Sequence, residues 1–113
     1  MKLELKIINE TINAIANSID DEQYAEALLN SEIVLKKLES YDRSDSVLQL
    51  LFNLAGQFID AGTSLRNKSA VAKGIQILET HSEYYENLSN VNYYYNLANG
   101  KLSLANDCGY SED

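Results

Sequence analysis

Apolar side chains recur along this chain at intervals of three and four residues, the period of a helix viewed from one side. Ile8, Ile12, Ile15 and Ile19 form the first such stripe and predict a helix over residues 3–19. Leu3, Leu5 and Ile7 alternate ahead of it, which leaves a short extended lead-in open. Asp20 and Asp21 are cap residues, and Glu22 is placed for the first turn of a second helix over 21–39. Tyr24, Leu28, Ser31, Leu35 and Leu38 share a face of it, while Glu32 and Lys36 form an exposed pair one turn apart. So short a joint predicts that the two helices fold back antiparallel. Residues 40–45 read as a polar loop. A third helix follows over 45–61, with the broad apolar face of Leu48, Leu51, Leu54, Ala55, Phe58 and Ile59, and Gly62 suits its left-handed terminus. The fourth helix is predicted over 69–87, carrying Val71, Ile75, Leu78, Ser82 and Tyr85 on one side. Residues 87–90 break the pattern. The fifth helix, over 91–105, sets Tyr93, Leu97 and Leu104 on one side with Tyr94, Ala98 and Ala105 beside them. Residues 1–106 thus read as one helical domain and 107–113 as a polar tail.

One signature occurs twice. Leu51-Phe52-Asn53-Leu54-Ala55 returns as Tyr94-Tyr95-Asn96-Leu97-Ala98, 43 residues later, and a weaker copy, Ile12-Asn13-Ala14-Ile15, stands 40 residues before Phe52. Self-similarity at such a period is the mark of stacked helical units, each of which needs a neighbour to bury its apolar face.

These helices and spacings resemble tetratricopeptide-type (TPR) repeats. Leu51, Leu54, Ala55 and Phe58 follow the spacing of that family's first helix. Tyr94, Leu97 and Ala98 follow it again, with Lys101 where the last aromatic belongs. Ala27, Ser31 and Val34, and again Ala70, Gly74 and Ile77, fit the second helix loosely. The family period is about 34 residues, shorter than the spacings here, and the closing proline is missing. The resemblance implies an all-α fold, a right-handed α-solenoid of about five antiparallel helices. It also implies a concave groove that holds an extended peptide or partner helix. Carried over by the motif, the groove-facing set is Gln49, Phe52, Asn53, Asn92, Tyr95, Asn96 and Asn99. Asparagine suits such a place because its amide both donates to and accepts from a peptide backbone.

Composition narrows the function classes. The chain has 113 residues, 45% of them hydrophobic, enough for one domain with a modest core. Its formal net charge is −8, the wrong sign for a phosphate backbone or an anionic membrane surface. No apolar run is long enough to span a bilayer, and the start of the chain lacks the apolar core of a signal peptide, so a cytoplasmic location is the expectation.

Little here points to chemistry. His81 is the single histidine, and no partner group stands at a catalytic spacing from it. Cys108 is the single cysteine, set near Asp107 and Glu112, acids that raise a thiol pKa. No zinc spacing, calcium loop or phosphate-binding glycine loop occurs, so neither a metal nor a cofactor is expected, and the chain does not read as an enzyme. The unusual feature is the tyrosines: Tyr84, Tyr85, Tyr93, Tyr94 and Tyr95 crowd one short stretch, and three in a row cannot all face one core. The expected function is an acidic adaptor that binds a protein or peptide in its groove, with self-pairing through the tyrosine-rich helix as a second use of that end. Two other readings stand beside it: an acidic inhibitor or antitoxin that covers a basic target, and the regulatory front end of a larger enzyme.

Overall fold

The computed structural model describes residues 3–107. The expectations for Cys108 and for most of the tail lie outside the described residues. The fold is all-helical: α1 (Leu3–Asp20), α2 (Tyr24–Leu38), α3 (Asp45–Ser64), α4 (Lys68–Thr80) and α5 (Ser82–Leu102), closed by a π-helical turn over Ser103–Asp107. The extended lead-in is absent, since α1 begins at Leu3.

α3 occupies the centre and packs against each of the other four helices. Its broad apolar face explains why: Leu51, Leu54, Ala55, Phe58, Ile59 and Ala61 are all buried, on directions too wide for one neighbour to cover. Side-chain pairings fix the directions of the rest. Tyr41, just past α2, donates to Glu4 near the start of α1 (2.9 Å), so these two helices run antiparallel. Gln57 of α3 donates to the Ile12 carbonyl of α1 (2.8 Å). Thr63, near the end of α3, meets Ser103 just past α5 (2.6 Å). Lys73 of α4 reaches Glu32 of α2 (2.8 Å). That last contact also corrects the Glu32–Lys36 expectation: the Glu32 carboxylate bridges two helices instead of bracing its own.

α3 and α4 approach so closely that a methyl group would not fit between them. A Cβ on Gly74 would lie 2.7 Å from the Ala55 carbonyl oxygen, and one on Gly62 would lie 2.8 Å from Val71. Gly62 therefore does not end α3, as its conformational freedom suggested. It sits inside the helix, where its missing side chain admits α4. The left-handed position falls to Arg66 (φ 54°). There the Asn67 N–H bonds the Gly62 carbonyl (2.8 Å) and the Arg66 N–H bonds the Thr63 carbonyl (3.1 Å), a Schellman closure. Asn67 then turns at once to its second task. Its side chain accepts from the Ala70 N–H (3.1 Å) and caps α4.

The α1–α2 joint uses the same device. Glu22 is left-handed (φ 64°), and the Gln23 N–H bonds the Ser18 carbonyl (2.8 Å). So α2 starts at Tyr24 rather than 21, and Asp20 to Glu22 close α1 instead of capping α2. Nothing cationic balances these acids in the last turn of α1, but they lie close to the positive end of α2.

The largest departure from the sequence reading lies between residues 80 and 90. α4 stops at Thr80 and α5 begins at Ser82, with His81 non-helical between them (φ −119°, ψ 36°). The break expected at residues 87–90 survives only as a kink at Ser89 within α5. Tyr85 supplies the reason. It is 1% exposed, and its hydroxyl donates to the Leu48 carbonyl of α3 (2.6 Å), so the chain has to turn before it to bring it under α3. Burial holds its phenol far above the usual range.

Candidate functional site

The seven residues expected to face a groove separate into three groups. Gln49, Phe52, Asn53 and Asn92 come together. With Tyr85, Leu88 and Ser89 they line one cleft of about 240 Å³ between α3 and the kinked start of α5. Its floor is aromatic: the Phe52 and Tyr85 rings stand 5.1 Å apart, tilted by 57°, and Tyr84 meets Tyr85 edge-on at 5.6 Å. Its rim is made of amides, with Gln49 Nε2 3.4 Å from the Tyr84 hydroxyl. Among the described residues, no charged side chain lines it.

Asn96 continues the line one turn on. Its Nδ2 donates to the Asn92 carbonyl (2.9 Å), and its Oδ1 lies 3.6 Å from where a Cβ on Gly56 would stand. Asn99 belongs to a second cleft of about 380 Å³, walled by Ile19 and Tyr24 from the first helix pair, Ile59, Asp60 and Thr63 from α3, and Leu102. Asp60 is the one ionisable carboxylate there, and partial withdrawal from water raises its pKa.

Tyr95 does not join either cleft. It is 66% exposed on the far side of α5. Four residues separate it from Asn99, so both were expected on one face, but the core contacts of α5 run through Tyr93, Leu97 and Gly100. That direction carries Asn92, Asn96 and Asn99 toward α3 and turns Tyr95 away from it. The tyrosines thus divide: Tyr85 and Tyr93 are buried, Tyr84 is half-buried, and Tyr94 and Tyr95 are exposed. Tyr94 donates to Glu86, and that bond raises its pKa.

The second copy of the repeated signature is also unlike the first in its surroundings. Leu51, Leu54 and Ala55 are buried under α2 and α4, whereas Tyr94 and Ala98 lie in the open and Leu97 is half-covered. Sequence reasoning missed a third cleft altogether, larger than these two. About 600 Å³ of space opens between α2 and α4, lined by Leu29, Ile33 and Ile77 with Lys36, Arg43 and His81 at its edge. Leu29 and Ile33, one turn apart and off the core stripe of α2, were the signal that could have revealed it. Burial and the Arg43 charge lower the His81 pKa.

Among the described residues, no group of three His, Cys, Asp or Glu side chains is placed to hold a metal ion. No helix there is long and apolar enough to cross a membrane. Comparison with protein-family models, with curated proteins and with solved structures returned no match.

Proposed function

We propose that this chain is a protein-interaction module of the TPR-like helical-hairpin type, binding an extended peptide along α1, α3 and α5. One observation carries the reading. Gln49, Phe52 and Asn53 of α3 share with the distant Asn92 of α5 a neutral cleft with an aromatic floor, and Asn96 and Asn99 lead from it to the next. Amides beside an aromatic surface match a peptide backbone flanked by apolar side chains. Pairwise contacts support it as well: α3 meets α1 through Gln57 and the segment just past α5 through Thr63, and α4 meets α2 through Lys73 and Glu32.

A binding role, not a catalytic one, fits the groove's chemistry. Among the described residues, the titratable group that lines the first cleft is Tyr85, whose hydroxyl is already committed to Leu48. In the second cleft, Asp60 suits a ligand with a lysine or arginine at that step. The net charge of −8 favours the same partner and disfavours nucleic acid.

Peptides selected from a random displayed library, then measured by calorimetry, test the proposal. Asn53→Ala and Asn96→Ala should each weaken the selected peptides about tenfold, the worth of one lost hydrogen bond of about 1.4 kcal/mol. Peptides that bind both variants as well as the parent, or whose NMR shifts map to the α2–α4 cleft, would sink it.

A further inference from the structure

The outer face of α5, directly opposite its core contacts, should be its most polar. It is instead apolar. Val91, Tyr95, Ala98 and Leu102 follow one another at steps of four, three and four residues, and Val91, Tyr95 and Leu102 are 75%, 66% and 60% exposed. That spacing is the seam of a two-helix coiled coil, in which Tyr95 and Leu102 take one core position and Val91 and Ala98 the other.

We propose that this seam binds a second copy of the chain, through an antiparallel pairing of the two α5 helices. Three features select a second copy. First, the seam complements itself in size. Antiparallel packing places each core position against the other kind, so the bulk of Tyr95 covers Ala98 of its twin, and Val91 faces Leu102. A parallel pair would set tyrosine on tyrosine and alanine on alanine, a clash beside a gap. Second, the seam is almost without charge. From residue 87 to 106 the only ionisable acid or base of the charged kinds is Lys101, whose amine already reaches Glu79 (3.1 Å). In a chain of net charge −8, this is a face on which two copies meet without repulsion. Third, a two-fold contact is isologous, so one neutral stripe supplies both sides. Asn96 turns toward α3, while Leu102 borders both the seam and the second cleft, so the pairing meets the groove at that edge.

Light scattering across a concentration series, on the full chain, reads the assembly. The parent should rise to twice the chain mass of 12.7 kDa. Ala98→Glu and Leu102→Glu, both at exposed positions, should keep the parent's helical circular dichroism and raise the dimer dissociation constant at least about a hundredfold, since each buries an unpaired charge. Disulfide trapping reads the register in a Cys108→Ser background. A mixture of Tyr95→Cys and Ala98→Cys chains should cross-link with each other more than either does with itself. A monomer at every concentration overturns the proposal, as does a dimer that both glutamates leave intact. Preferential self-linking of Tyr95→Cys overturns the antiparallel register.

Discussion

Two glycines inside helices stand in opposite surroundings, and one substitution separates them. At Gly74 an added methyl meets the Ala55 backbone at 2.7 Å, which cannot yield as a side chain can. The overpacking cost of about 1–3 kcal/mol outweighs the helix-propensity gain of about 0.5–1 kcal/mol. Gly74→Ala should therefore lower the urea midpoint. At Gly56 the methyl meets only Asn96 Oδ1 at 3.6 Å, an ordinary contact, so Gly56→Ala should raise the midpoint by the propensity term alone. Asp60 offers a test by pH. Its raised pKa means that the fold holds the proton more tightly than the unfolded chain does. Its contribution is therefore most favourable below the ordinary value of 3.8 and is lost as pH rises through the folded value. Asp60→Asn should stabilise the protein at pH 7, and the advantage should vanish in thermal melts near pH 3.5. Which acid would behave this way was not legible in the sequence, because the walls of the second cleft come from residues as distant as Ile19 and Leu102.

At the scale of elements, the periodicity carried far. All five helices exist, and the stripes Ile8–Ile12–Ile15 and Leu51–Leu54–Phe58 are buried as their spacing demanded. The joints were harder to read because capping chemistry is ambiguous in one dimension. An aspartate pair can open a helix or merely trail from one, and a glycine can end a helix or admit a neighbour. Asp20–Asp21 and Gly62 each took the less obvious option. The boundary at His81 was hidden for another reason: Tyr85 continues the apolar rhythm of α4, and only its distant acceptor on Leu48 reveals that it belongs to the next helix. The groove set was carried by a face assignment: Gln49, Phe52, Asn53 and Asn92 line one cleft and Asn99 another, while Tyr95 lies on the surface, where a small rotation of α5 decides between cleft and surface. The left-handed residues provide a direct check. Glu22 holds a conformation that costs a side-chain-bearing residue about 1–2 kcal/mol and a glycine almost nothing. Glu22→Gly should stabilise the fold by about 1 kcal/mol in chemical denaturation, and Glu22→Ala should not.

For the whole molecule, the decisive fact is that one helix touches all the others. A linear stack of repeats opens from its ends, each unit holding only its neighbours. Here the core residues Leu54 and Phe58 of α3 are wholly buried, while α5 beyond Ser89 buries only Tyr93 and Gly100 and half-covers Leu97. Native-state hydrogen exchange should show α3 amides exchanging only through global unfolding, and amides after Ser89 exchanging earlier by local opening. Equal protection in the two helices would contradict this ordering.

The single residue that closes α3 and caps α4 also has a consequence in time. With Asn67 serving both ends, the two helices cannot nucleate far apart and then search for one another. Their contacts lie within residues 45–80, so the loop-closure entropy is small, and contacts of short sequence separation form fastest. The α3–α4 hairpin is therefore expected to be the template on which α1, α2 and α5 dock. Its kinetic signature is a set of φ-values well above one half at Ala55 and Val71, and near zero at Tyr93.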